Sequence, residues 1–249
     1  MAPPLIAVAH GSRDPRSAAT VHELLGVVRA LAPRLDVRAA FLDLSAPRLS
    51  DVLAGVHADG HDDAVVVPLL LGRAFHARVD VPGAVAKAAR RHPRLRIGVA
   101  DVLGPDPGLE AAAFARLIAA GADPTDPVLG VVLAGAGSSH GPANVAVQRV
   151  ADGWVRSTRW SALAGFAAAA DPDVPTAVAA LRAAGARRIA VGSWFLAPGL
   201  LPDRVISQAR TADPAVLVAD PLGADPDVAD VVLRRYAAVA QLSTARQAS

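Results

Sequence analysis

Three titratable residues stand at one interval along the chain. His10, Asp43 and His76 follow one another at steps of 33 residues, about one strand–helix unit each. Two imidazoles and a carboxylate form a ligand set for Fe²⁺, Co²⁺, Ni²⁺ or Zn²⁺. They also accept protons near neutral pH. Each residue alone has a plainer use. His10 opens "HGSRDP", which reads as a turn leading into a helix, with Ser12 or Asp14 as cap and Pro15 in the first turn. Asp43 can cap a helix or pair with an arginine.

The elements that must carry these residues are legible as apolar runs. "LIAVA" (5–9), "DVRAAFL" (36–42), "AVVVPLLL" (64–71) and "LRIGVA" (95–100) each precede an alanine-rich helical pattern. Continuous apolar strands followed by helices predict parallel strands buried on both faces. In such α/β sheets ligands bind beyond the carboxyl ends of the strands. His10 and Asp43 fall at the ends of the first two strands, and His76 just past the third.

The pattern then repeats. "VADVLGPDPGL" from Val99 matches "VADPLGADPDV" from Val218, and Gly11-Ser12 falls on Gly137-Ser138. "FLDLSAP" aligns with "FAAAADP", which sets Phe41 on Phe166 and Pro47 on Pro172. The expected fold is α/β, with two similar doubly wound lobes related by an internal pseudo-twofold duplication. Each lobe would hold a four-stranded parallel sheet flanked by helices. The expected division is 1–122 for the lobe with the chemical groups and 123–249 for a degenerate lobe forming the other wall of a cleft. The Gly/Pro/Asp-rich "GADPTDP" (121–127) marks the joint. In the second lobe His10 falls on Ala136, Asp43 on Ala168 and His76 on about Leu201. The turn and its glycine survive while all three polar groups are lost, which points to one shared task and not to three structural roles.

Composition narrows the chemistry. The chain has 249 residues, of which 53% are hydrophobic and 19% charged, as expected of a folded globular protein. With no cysteine there is no disulfide, iron–sulfur cluster or thiolate zinc site. The net charge is only +2, and no basic stripe interleaves with aromatics, so no nucleic-acid partner is expected. The N-terminus lacks a basic region followed by a long apolar one, and no apolar stretch reaches membrane-spanning length, so a cytoplasmic location without membrane insertion is expected. No Walker A motif occurs, and "GAGSSH" (135–140) has His140 where a dinucleotide fingerprint needs its third glycine, so no nucleotide is expected. His22, His57, His61 and His92 read as surface or structural residues.

"AHGSRDPR", "FLDLSAP" and "VVVPLLLGRAFHARVDVP" together resemble the sirohydrochlorin chelatases of the CbiX/SirB type, within the ATP-independent class II chelatases. The resemblance spans nearly the whole chain and implies insertion of a divalent metal into sirohydrochlorin, a tetrapyrrole with eight carboxylates. Iron would lead to sirohaem, cobalt toward cobalamin, and nickel is a further candidate. It implies that His10 and His76 handle the metal. Asp43 stands where the family usually has Glu, and Ala74 where it has Gly, whereas Gly199 keeps the glycine of the duplicate. Ser12, Arg13, Arg48, Arg73 and Arg78 lie near these residues and are expected to meet the substrate, the arginines through its carboxylates. Two lobes in one chain imply a monomer. Two other readings stay open here: a metal or tetrapyrrole carrier without turnover, and a phosphate-transferring histidine. For the last, an "RHG" start would be expected where Ala9 precedes His10.

Overall fold

A computed structural model describes residues 2–72 and 79–247, with side chains through 241. Two separate parallel sheets carry the same strand order. The first comprises β1 (Leu5–Ala9), β2 (Val37–Phe41), β3 (Asp63–Pro68) and β4 (Arg96–Val99), arranged β2-β1-β3-β4. The second comprises β5 (Leu129–Gly135), β6 (Ser161–Phe166), β7 (Arg188–Ser193) and β8 (Leu217–Val218), arranged β6-β5-β7-β8. The apolar runs form these strands because both faces of each sheet are covered: Leu5, Ile6, Ala7 and Val8 are all at most 1% exposed.

Among the described residues eight helices alternate with the strands: α1 (Pro15–Leu31), α2 (Leu49–Ala58), α3 (Val81–Arg91), α4 (Pro107–Ala119), α5 (Gly141–Ser157), α6 (Val174–Ala183), α7 (Leu200–Ala212) and α8 (Pro226–Gln247). Among the described residues no helix is long and apolar enough to cross a membrane. One face of the first sheet packs on α2 and α3 through Ile6, Val8, Leu53, Val66 and Val85. The matching cluster of the second sheet joins Val132, Val174, Leu181, Val191 and Val205.

The duplication predicted from sequence is visible in the backbone. Asp43 N–H donates to the His10 carbonyl at 2.9 Å, and Ala168 N–H to the Ala136 carbonyl at 3.0 Å. Phe41 N–H bonds the Pro47 carbonyl just as Phe166 N–H bonds that of Pro172. Leu44 and Ala169 both take φ near +60°.

Packing groups the helices differently from a cut at 122. The compact units are Met1–Gly108 with Gly223–Ser249, and Leu109–Leu222. Each repeat therefore gives its fourth helix to the unit of the other repeat. In the first unit α8 lies on β4 so closely that a Cβ on Gly98 would come within 2.5 Å of Val239. Arg235 of α8 donates to the Val102 and Leu103 carbonyls at 2.9 and 2.8 Å. In the second unit the equivalent Arg116 of α4 donates to the Leu222 carbonyl at 3.0 Å. The first unit adds a buried anchor: Asp106, 5% exposed, accepts from Arg234 at 2.7 and 3.0 Å and from Arg235 at 3.0 Å. Burial alone would raise the Asp106 carboxyl, but the Arg234 guanidinium, the Gly108 N–H and Arg235 outweigh it and hold the group below the usual carboxylate range.

Candidate metal site at the carboxyl edge of the first sheet

The order β2-β1-β3-β4 sends the chain one way from β1 to β2 and the other way to β3. The gap beyond the carboxyl ends of β1 and β3 is therefore the switch point where α/β sheets receive ligands. His10 is the first residue after β1, and the loop that leaves β3 begins there too, with Leu69 N–H bonded to the Val8 carbonyl at 2.8 Å.

Local chemistry fixes the loop around His10. Gly11 has φ +94°, and a Cβ there would sit 1.7 Å from the Asp43 carbonyl oxygen. Only glycine lets the β1 and β2 loops touch at this point. Ser45, which sequence reasoning passed over, ties the same two loops together. Its Oγ accepts from Ser12 N–H at 3.1 Å and donates to the Ser12 carbonyl at 3.0 Å. Ser12 Oγ in turn accepts from Asp14 N–H at 3.0 Å, and the Asp14 carboxylate caps α1 through Arg16 N–H at 2.9 Å, with Pro15 following. Both residues of the predicted cap are thus used, Asp14 as the cap and Ser12 as its support.

Asp43 lies two residues beyond β2, half exposed, its backbone bonded to that of His10. The Leu44 N–H and the Arg48 guanidinium, with His10 adding attraction when charged, hold its carboxyl below the usual carboxylate range. Arg48 Nη1 donates to Asp43 Oδ1 at 2.6 Å and to the Leu42 carbonyl at 3.0 Å. This arginine, expected to meet substrate, is therefore engaged by the acid of the site. Arg13 is exposed beside Ser12.

The structure thus brings His10, Asp43, Ser12 and Arg48 to one sheet edge. His76, Arg73 and Arg78, with Ala74, lie outside the described residues. Among the described residues no three His, Cys, Asp or Glu side chains gather as a metal-holding group. His140 sits at the N-cap of α5, in the place of Asp14 and not of His10. His22 is on α1 with its ring edge-on to Phe41, and His57 of α2 stacks at a tilt against His92. His61 lies 3.9 Å from Asp36.

At the same edge of the second sheet a small void is lined mainly by apolar groups, with Ser193 among them. Ala134, Phe195, Pro202 and Val205 surround this void of about 20 Å³, room for one water at most.

The family model CbiX matches residues 4–120 and again 130–239, once per repeat. Among curated proteins the chain is 24% identical over 202 residues to a sirohydrochlorin cobaltochelatase of Priestia megaterium, covering 80% of this chain and 65% of that one. It is 28% identical over 113 residues to a sirohydrochlorin ferrochelatase of Bacillus subtilis, covering 45% of this chain and 43% of that one. The matches thus span less than two thirds of these relatives' lengths. The fold is that of SirB from Bacillus subtilis solved with Fe³⁺, at TM-score 0.83, 24% identity and 98% of both chains. A second SirB structure, in complex with cobalt, superposes at TM-score 0.78 and 22% identity, over 97% of this chain and 96% of that one. With its model matched twice over the two repeats, the chain belongs to the CbiX family.

Proposed function

We propose that this protein is a chelatase that inserts Fe²⁺ or Co²⁺ into sirohydrochlorin, with the metal as a substrate and no nucleotide in the reaction. The observation that carries this reading is the one-sided edge. Two lobes share the same backbone loops, and the first alone places His10 and Asp43 where the strands end, on a chain whose curated relatives carry the names of sirohydrochlorin chelatases.

The chemistry follows from the groups. Insertion replaces two pyrrole N–H protons by one divalent ion, releasing two protons, and strips water from the ion. The imidazole of His10, that of His76 and the carboxylate of Asp43 hold the ion on one side, leaving its other positions open to the macrocycle nitrogens. Two of these groups, freed as the ion moves across, accept the two pyrrole protons and pass them to solvent. The low-lying carboxyl of Asp43 stays ionised at neutral pH and suits the ligand role, while the imidazoles suit proton transfer. Arg13, Arg73 and Arg78 are the arginines we assign to the substrate carboxylates, with Ser12 at the margin. Imidazole and carboxylate take Fe²⁺, Co²⁺ and Ni²⁺ alike, so supply decides which metal is used.

The test is the absorption spectrum of sirohydrochlorin with Fe²⁺ or Co²⁺ and catalytic amounts of protein. Many turnovers per chain are expected, falling to the uncatalysed rate in a folded His10→Ala/His76→Ala variant. A single stoichiometric binding event without turnover would favour the carrier, and undiminished insertion by the double variant would end the proposal.

A further inference from the structure

Helix α2 begins on an arginine. Arg48 is its N-cap, in extended conformation, and makes no side-chain bond to the first turn. At the same place in the duplicate, α6 starts on Asp173, whose carboxylate accepts from Thr176 N–H at 2.9 Å. The two positions are equivalent in detail, since Arg48 bridges Phe41 as Asp173 bridges Phe166. An acid there caps the helix and meets the positive end of its dipole, while a guanidinium does neither. Loss of such a cap shifts a folding equilibrium roughly fivefold. The first lobe thus gives up a favourable residue at a helix N-terminus that adjoins Asp43. A lost cap alone says little, since His140 also leaves α5 uncapped where Asp14 caps α1; at α2 the residue that breaks the rule is the one that pairs with Asp43.

The pairing is visible in the contacts. Arg48 Nη1 is 2.6 Å from Asp43 Oδ1, and the neighbouring Leu42 carbonyl steadies it at 3.0 Å. The next residue, Leu49, is 2% exposed and roots the backbone in the core. The side chains themselves are open, with Arg48 49% and Asp43 57% exposed. Open pairs of this kind are weak, so an incoming ion can break this one without disturbing the packing. We propose that Arg48 is a resident stand-in for the metal: it neutralises and aims the Asp43 carboxylate until a divalent cation displaces it. This rests on the metal-handling reading of the site and makes Arg48 a positioning residue. It also gives the site a filter. A cation that wants only oxygen, such as Mg²⁺, gains one carboxylate and must expel a guanidinium. Co²⁺ or Fe²⁺ gains imidazole as well.

The experiment is titration of the full chain with Co²⁺, read by its visible absorption, in wild type, Arg48→Ser, Arg48→Lys, Asp43→Asn and the Asp43→Asn/Arg48→Ser double variant. Removing the competitor in Arg48→Ser tightens Co²⁺ two- to fivefold, the range an exposed ion pair spans. Arg48→Lys keeps the charge and stays within twofold of wild type. In the Asp43→Asn background the serine no longer tightens binding, because there is no carboxylate to release. An unchanged or weaker Co²⁺ affinity in Arg48→Ser would overturn the proposal, as would a gain that persists undiminished with Asp43→Asn. His10→Ala is the control that separates the two levels. If it weakens Co²⁺ binding while Arg48→Ser has no effect, the site stands and the stand-in role falls. If it leaves binding intact, both fall.

Discussion

The two lobes are a built-in control for each other. Both fold β-strand, glycine turn and helix in the same order, and both press a glycine against the opposing loop: Gly11 against the Asp43 carbonyl, Gly137 against that of Ala168. A loop residue that one lobe keeps and the other replaces by alanine, with the loop backbone unchanged, is therefore not required by that loop's fold. His10 and Asp43 are such residues, facing Ala136 and Ala168 in the second lobe. The difference teaches that a loop scaffold under tight steric control can be copied whole while its chemistry is held at a single edge.

Several substitutions sharpen or break this contrast. The largest effect is expected at the histidines: His10→Ala lowers insertion by about 10²–10³, the scale of losing a ligand that also moves protons. Ala136→His in the other lobe leaves the rate unchanged. Comparable losses in both would show that the edges share the work. Chemical denaturation of Asp106→Asn comes next. It leaves two guanidinium groups facing a neutral amide and costs roughly 3–5 kcal/mol of stability. Because the folded Asp106 carboxyl is held low, its contribution is complete above the unfolded value near 4 and is lost as pH falls through the folded value. Wild type therefore loses stability on acidification below about pH 4 more steeply than Asp106→Asn.

The strands were legible in the sequence because burial on both faces leaves unbroken apolar runs such as "LIAVA", and β1 spans those residues. The repeat was legible because the Gly11/Gly137 turn and the Phe41/Phe166 strand ends are steric requirements that tolerate little change. The exchange of α4 and α8 was not, since a contiguous repeat says nothing of which sheet its last helix covers. Its anchor, Arg234 with Asp106, spans 128 residues. The Arg48–Asp43 pair was also hidden. In sequence Arg48 reads as an arginine for the substrate carboxylates, and nothing there pairs it with Asp43 until Leu44, at φ +60°, folds the loop back. The signal stood one residue beyond the aligned prolines, where Arg48 faces Asp173.

Two smaller effects complete the comparison. Gly11→Ala and Gly137→Ala each place a Cβ within 2 Å of a carbonyl oxygen at positive φ, and each lowers stability by roughly 2–3 kcal/mol in denaturant titrations. Only Gly11→Ala also lowers insertion per folded molecule, since it alone moves the loop that carries His10. Equal residual activities would separate the turn from the site. Asp43→Asn is expected to weaken Co²⁺ about tenfold, and Ala168→Asp in the other lobe to add no second Co²⁺ site, both read by equilibrium titration.

The most direct test is anomalous diffraction at the cobalt edge from crystals soaked in Co²⁺. One strong peak is expected beyond the carboxyl ends of β1 and β3, about 2.0–2.2 Å from a ring nitrogen of His10 and bonded also by His76 and Asp43. A peak at the second sheet's edge, or a well-occupied ion elsewhere with His10 left out, would contradict a site confined to the first sheet's edge.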